Sequence, residues 1–279
     1  MSNNIVELER KSKYLRRQVL DMCIKAGTGH VTSSFSCVEI MVALYYGGIL
    51  RYDASHPQWE QRDRFILSKG QASPLQYVIL ADLGFFPPCE TEKFCQVDGI
   101  FGVHLQHDVP GVEVTFGSLG HGLGIGAGMA LAARQDRKLF TTIVLLGDGE
   151  CYEGSIWEAA MFAGHHELNN MIAIIDRNWL CVTDFTENCV RLNPLDKKWE
   201  ACGWDVVTIN GHSYEEIFSV FEGFRSRQLN KPLLIIANTV KGKGVSFMEN
   251  QPLWHGIAPS GDEAKMAMTE LNNSEKESL

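Results

Sequence analysis

With 279 residues, 45% of them hydrophobic and 21% charged, the chain has ordinary soluble-globular composition and length for one large α/β domain with a full core. A net charge of −9 and a pI near 5.5 exclude a basic surface made for nucleic acid or for an anionic membrane. No apolar run approaches the ~18–20 residues of a membrane span. The N-terminus is polar and mixed in charge rather than a secretory signal, and the eight cysteines contain no C-x-x-C, which predicts reduced thiols in a cytoplasmic protein. No internal repeat is visible.

In chain order, Asn4 to Ala26 predicts an amphipathic helix with Ile5, Leu8, Leu15, Val19 and Met22 on one stripe, stopped by Gly27 and Gly29. The loop Gly27-Thr28-Gly29-His30 leads to a second helix, Cys37–Tyr46. Arg62 to Ser68 reads as a short strand leaving a charged turn. Lys69-Gly70-Gln71 stands at its end, before a helix from Ser73 or Pro74 to Leu83 with proline well placed in the first turn. Phe85-Phe86-Pro87-Pro88 is a surface connection. From Thr91 to Val112 periodicity is weak after one short helix, and a long loop of this kind inside a domain is often functional.

Gly117 to Arg134 is rich in glycine. Gly120, Gly124 and Gly128 fall at every fourth position and predict one bare helix face for close backbone packing. A dinucleotide fingerprint is excluded by context, since no buried strand of convincing length enters the run and no acid ends a following strand at the required distance.

The stretch from Leu139 to Leu180 carries the chemistry. Leu139–Leu146 is a continuous apolar and β-branched run, as in strands buried on both faces of a parallel sheet, and it ends in Gly147-Asp148-Gly149. A helix of roughly Ser155 to Leu168 follows, then a strand, Met171–Ile175, ending in Asp176-Arg177-Asn178. A crossover of this kind sets the two carboxyl ends side by side, where open α/β sheets bind ligands. Asp148 and Asn178, thirty positions apart, then face one crevice. A carboxylate, an amide oxygen and a nearby carbonyl form an incomplete hard-oxygen shell, suited to Mg²⁺ holding a diphosphate. Gly147 and Gly149 allow the tight turn and close approach of the diphosphate to the backbone.

Beyond Asn178 the reading is an irregular loop to Asn193, a helix near Pro194–Cys202 and a strand Trp204–Ile209. A helix then runs from Ser213, with Glu216 completing a capping box, to about Arg227. The strand Pro232–Val240 precedes the loop Lys241-Gly242-Lys243-Gly244, whose lysines are read either as surface charges or as closing over the diphosphate. The predicted domain is 1–259, followed by a polar tail, 260–279, with at best one short helix.

These motifs together resemble the diphosphate-binding half of the transketolases, in particular the form divided between two polypeptides, over nearly the whole chain from His30 to Gly256. Ala26-Gly27-Thr28-Gly29-His30 matches the first histidine motif. Arg62–Leu67 with Ser68-Lys69-Gly70 matches the second, where the family continues with histidine and this chain has Gln71. Gly117-Ser118-Leu119-Gly120 matches the segment that contacts the aminopyrimidine of thiamine diphosphate. Gly147-Asp148-Gly149 with Asn178 matches the metal motif, and the resemblance implies the Leu180 carbonyl as a third protein ligand to Mg²⁺, or to Ca²⁺ or Mn²⁺. Glu153 falls on the glutamate that links the two active sites of the dimer. Val240–Phe247 with Trp254-His255-Gly256 matches the late loop with a further histidine.

The resemblance implies an α/β fold with a mostly parallel, doubly wound sheet covered by helices on both faces. It implies His30, His104 and His255 near the substrate for proton transfer and hydrogen bonding, with His107 the competitor of His104. It implies Gln71, Gly117, Ser118, Leu119, Gly147, Asp148, Gly149, Asn178, Leu180, His30 and His255 around the cofactor. His56, His165, His166 and His212 are read as structural, His121 as packing or hydrogen bonding in the glycine helix, and Glu150 as a solvated acid or one beside the metal ligands. The glutamate that activates the aminopyrimidine belongs, in the family, to a second domain from the partner subunit. A partner bearing the pyrimidine-binding and C-terminal domains is therefore implied, in an α2β2 assembly acting on small sugars or sugar phosphates. Cys95 stands where the family often has an arginine near the substrate phosphate, so with Gln71 it puts sugar-phosphate specificity in question. Rival expectations are another thiamine diphosphate enzyme (an oxo-acid dehydrogenase first component or a deoxyxylulose-phosphate-type synthase) or a non-catalytic assembly subunit.

Overall fold

The computed structural model describes residues 2–225 and 230–276. Its centre is a wholly parallel five-stranded sheet in the order β1-β2-β3-β5-β4. The strands are β1 Arg64–Leu67, β2 Thr142–Gly147, β3 Met171–Arg177, β4 Asp205–Asn210 and β5 Leu233–Asn238. Around them lie α1 Ser2–Ala26, α2 Val31–Phe35, α3 Val38–Tyr45, α4 Ser73–Asp82, α5 Gly122–Gln135, α6 Gly154–His165, α7 Thr186–Cys189, α8 Leu195–Ala201, α9 Tyr214–Arg225 and α10 Gly261–Lys276.

The sheet is apolar on both faces because helices cover both. Successive strand residues divide between two cores: Ile143, Leu145, Ile172, Ile174, Leu233 and Ile235 face α1, α3, α4 and α9, whereas Val144, Leu146, Ala173, Ile175, Leu234 and Ile236 face α5, α6 and α8. The predicted stripe of α1 is in place, with Leu8, Leu15, Val19 and Met22 buried. Strand register then positions the site. Gly147 pairs with Asp176 across β2 and β3, so the turns after both strands open into the same crevice, as the crossover argument required. No helix among the described residues is long and apolar enough to cross a membrane.

Several elements differ from expectation. The loop after Gly29 contains α2, all five of whose residues are buried. The segment to Asn193, read as irregular, contains α7. The polar tail is largely α10, which packs on α1 and places Ala267 and Leu271 in the core; its short apolar stripe at helical spacing was hidden by the polar residues between. Residues 277–279 of that tail, and the predicted end of α9 at Arg227, lie outside the described residues. The capping box on α9 is half formed. Ser213 Oγ accepts from the Glu216 N–H at 3.2 Å, but the Glu216 carboxylate turns to the Asn210 N–H instead.

The glycine reading also changes. Gly120 is not on α5: it sits in the preceding turn at φ +90°, against Glu153 and Ser155. The glycines that permit close packing are Gly122, where a Cβ would lie 2.3 Å from Ser68 Oγ, and Gly126, where it would lie 2.5 Å from a Val144 methyl. Gly124 and Gly128 are exposed, leaving a bare strip on the outer side of α5.

Candidate active site

At the carboxyl ends of β1, β2, β3 and β5 the chain leaves an open cleft of about 160 Å³. Its walls come from the turn after β1 (Lys69, Gln71), the turn after β2 (Gly147 to Glu150, with Tyr152), the segment after β3 (Asn178 to Val182) and the loop after β5 (Lys241 and His255). Ser33 of α2 and Leu119 complete it. The late loop reaches α2 because Gly242 N–H donates to Thr32 O and Thr32 Oγ1 donates to Trp254 O, at 3.1 and 3.0 Å.

Asp148 is 1% exposed. It accepts from the N–H groups of Gly149 (2.8 Å) and Trp179 (2.7 Å) and from Arg177 Nη1 (3.2 Å). Burial, with Asp176 nearby and against the pull of Arg177, pushes its carboxyl up to about 6. Asn178 donates from Nδ2 to Asp176, and its Oδ1 accepts from the Leu180 N–H. Behind the cleft, Asp176 is held by Lys69, Ser36 and Thr239. Burial opposes both charges of the Lys69–Asp176 pair, yet each partner keeps the other ionised, raising the lysine and lowering the carboxylate.

Three histidines converge at the rim. The His30 ring lies 5.8 Å from His104 and 5.4 Å from His255, centroid to centroid. Burial first, then His104 and Lys241, holds His30 down at about 4. Burial, then Lys241 and His30, holds His255 at about 3, so both rings are neutral at pH 7. Nδ1 of His30 and Nδ1 of His104 are buried without a hydrogen-bond partner. His107 turns to solvent, paired with Asp108 and Thr115, so the crowded histidine of that segment is His104.

Lys241 is the residue sequence reasoning left undecided. It is 2% exposed in the cleft wall, and its Nζ lies 2.8 Å from His255 Nδ1. Burial and the neighbouring Lys69 lower it to about 8. Its position just past the end of β5 was the available signal, since that is where such sheets bind ligands. Lys243, by contrast, is a partly exposed partner of Glu249.

Not all expected residues meet. Gly117 and Ser118 lie on the exposed outer rim beside Leu119, and Glu153 is exposed at the start of α6, against Gly120 and outside the cleft. Glu150 is not solvated: it is buried, and its carboxylate accepts from Ser68 Oγ and from the N–H groups of Gly120 and Gly147, tying three cleft segments together. His121 is exposed at the N-cap of α5 with no side-chain cap bond. Cys95, at φ +57°, packs toward the core rather than into the cleft. His212 bridges Glu39 and the Val240 N–H, a structural role as expected.

The donor set fits a diphosphate with a hard divalent ion. A buried carboxylate, an amide oxygen and the backbone of Leu180 border the cleft, with two buried lysines on its wall. Among the described residues no group of three or more His, Cys, Asp or Glu side chains forms a competing site for a softer metal. Fold and cleft therefore define an α/β domain with a candidate ligand cleft at the carboxyl ends of a parallel sheet.

Comparison makes the class specific. Residues 8–278 match the family described as the thiamine diphosphate-binding domain of transketolase. One of the subunits of the apulose-4-phosphate transketolase of Phocaeicola vulgatus is 40% identical over 265 residues, covering 95% of this chain and 94% of that protein. The 6-deoxy-6-sulfo-D-fructose transketolase subunit SqwG of a Clostridium species is 38% identical over 272 residues, covering 97% and 98%. The crystal structure of Campylobacter jejuni transketolase superposes with a TM-score of 0.89 at 31% identity, covering 95% of this chain and 42% of that one. The chain belongs to the transketolase family, as a subunit built on its thiamine diphosphate-binding domain. It spans nearly all of the subunit relatives and about two fifths of the solved transketolase.

Proposed function

We propose that this subunit holds thiamine diphosphate through a divalent ion, Mg²⁺ foremost, bound by Asp148, Asn178 Oδ1 and the Leu180 carbonyl, and that with a partner chain it transfers a two-carbon ketol unit from a ketose to an aldehyde. The observation that carries this is the register of β2 and β3, which opens the Asp148 and Asn178 turns into one cleft with His30, His104 and His255 at its rim. When bound, the cofactor supplies the nucleophilic carbon and stabilises the carbanion equivalent.

The protein's own part is binding, orientation and proton handling. Gln71, Gly147, Gly149 and Leu119 shape the cofactor's bed, with Gly117 and Ser118 at the rim where a second chain meets the site. Lys69 and Lys241 supply positive potential that the acidic molecule otherwise lacks. Lys241, as an ammonium, only donates, so His255 Nδ1 accepts and its proton sits on Nε2. His255 and His30, neutral through burial, can then donate to substrate hydroxyls and to a developing alkoxide. Glu153, exposed beside the Gly120 turn, would meet a partner carboxylate in the assembly. A partner must contribute the acid that activates the aminopyrimidine, and two copies of each chain are the expected assembly, in the cytoplasm.

The two subunit relatives are named for sugars with a phosphate and a sulfo group respectively. A panel of phosphorylated, sulfonated and neutral ketoses, assayed with the reconstituted pair, tests both reaction and substrate class; pyruvate decarboxylation without ketol transfer would replace this reading with another thiamine diphosphate reaction. Asp148→Ala should remove divalent-dependent cofactor binding at a cost of several kcal/mol, because the diphosphate loses its bridging cation. Unchanged affinity by calorimetry would sink the metal assignment.

A further inference from the structure

We propose that Cys181 and Cys189 are a reversible dithiol–disulfide pair that clasps the loop bordering the diphosphate pocket. The two sulfur atoms lie 3.2 Å apart, so closing to the ~2.05 Å of an S–S bond asks for about 1 Å of movement. A compact turn presents them. Leu180 and Phe185 form an antiparallel bridge, Cys181 N–H donates to Asp184 O at 3.0 Å, and Asn188 Nδ2 donates to Asp184 Oδ1 at 3.1 Å. Cys189 is exposed and Cys181 half-buried, whereas Cys23, Cys37 and Cys151 are buried beyond easy reach of a polar oxidant. Cys89 and Cys95 share the segment around residues 88–95, and Cys202 follows α8, so none of them lies on the Cys181–Cys189 turn.

The place of the pair gives the bond a consequence. Leu180, Cys181 and Val182 line the cleft, Trp179 N–H and Arg177 hold Asp148, and Arg177 also donates to Thr186 Oγ1, so the segment that the bond would close borders the site at its Cys181 end and is tied to Asp148 through Arg177. A link from Cys181 to the end of α7 closes that segment into a small ring and removes the freedom it needs to swing outward. Resting on the cofactor reading above, the oxidised subunit exchanges its diphosphate ligand more slowly than the reduced one.

The oxidant is a peroxide. One thiolate attacks the O–O bond, giving a sulfenic acid and hydroxide; the second thiolate attacks that sulfur and expels another hydroxide. With the two thiol protons the sum is two thiols and hydrogen peroxide giving a disulfide and two waters. A small dithiol reverses the step by exchange, leaving both cysteines reduced and itself as the disulfide.

The test uses the assembled enzyme treated with hydrogen peroxide, then mapped by peptide mass spectrometry without reduction. A Cys181–Cys189 linked peptide that disappears with dithiothreitol is expected, together with a several-fold slower release of thiamine diphosphate. Cys189→Ser should give no linked peptide and a release rate indifferent to peroxide. Peroxide that yields only sulfinic or sulfonic acids at these positions, or links through Cys89, overturns the pair; a link that leaves release unchanged overturns the clasp. Failure of the reduced assembly to bind thiamine diphosphate at all would count against the cofactor reading, while the peptide map would still judge the disulfide.

Discussion

At the scale of single residues the cleft is governed by who can donate. Lys241 sets the His255 tautomer because an ammonium offers protons and no lone pair. Lys241→Met should let His255 exchange tautomers and cost about tenfold or more in kcat for ketol transfer, in the range of a misplaced proton-transfer group. Nitrogen-15 spectra of histidine-labelled protein check the tautomer directly; an unaltered His255 signal would refute the assignment. His30 and His255 also link stability to pH. Their folded pKa values, about 4 and about 3, lie below the ordinary 6.5, so the unfolded chain binds protons that the folded chain refuses. Stability from these rings is present above pH 6.5 and is lost as pH falls toward 4 and below. Urea melts from pH 7 to pH 4 should show a shallower decline in a His30→Asn, His255→Asn double variant than in the parent.

At the scale of elements, α5 is the informative one. Its inner glycines touch the β1–β2 side of the sheet, and its outer glycines touch nothing of this chain at close range. Gly126→Ala puts a methyl 2.5 Å from Val144, a β-branched side chain locked in the sheet, and should destabilise by about 1–3 kcal/mol. Gly128→Ala meets no atom within 4 Å and should stabilise the isolated subunit by up to about 1 kcal/mol through helix propensity. Denaturant melts of the two variants should move in opposite directions. The same Gly128→Ala change should weaken assembly if the bare strip lies against the partner.

At the scale of the whole molecule, apolar side chains stand exposed on the segments that border the cleft: Trp179, Val182, Phe185 and Val190 after β3, and Leu253 and Ile257 on the late loop. An acidic chain with so much apolar surface beside its site suits a partner covering it. Purified alone, the subunit should show no ketol transfer at any thiamine diphosphate concentration. Mixed with the partner, it should give a complex of two copies of each by light scattering. Turnover by this polypeptide alone, after mass spectrometry has excluded a co-purified partner, would defeat the two-component assembly.

The sequence by itself determined the parallel α/β architecture, because buried parallel strands read as unbroken apolar runs and their ends carry glycine and acid. It determined the pairing of Asp148 with Asn178 as well, since a strand–helix–strand crossover makes the two strands parallel and so leaves the turns after them on the same edge of the sheet. Only the tertiary structure decided which of two nearby histidines joins His30, because the loop holding His104 and His107 has no period from which a facing side can be read. It decided too that Glu150 is a buried tie, that Lys241 rather than Lys243 lines the cleft, and that Gly122 and Gly126 rather than Gly120, Gly124 and Gly128 pack against the sheet. Each of these depends on contacts between segments distant in the chain: Glu150 with Ser68 and Gly120, Lys241 with His255, Gly126 with Val144. Local pattern fixes what an element is; which of its neighbouring residues faces inward is settled when the other segments close around it.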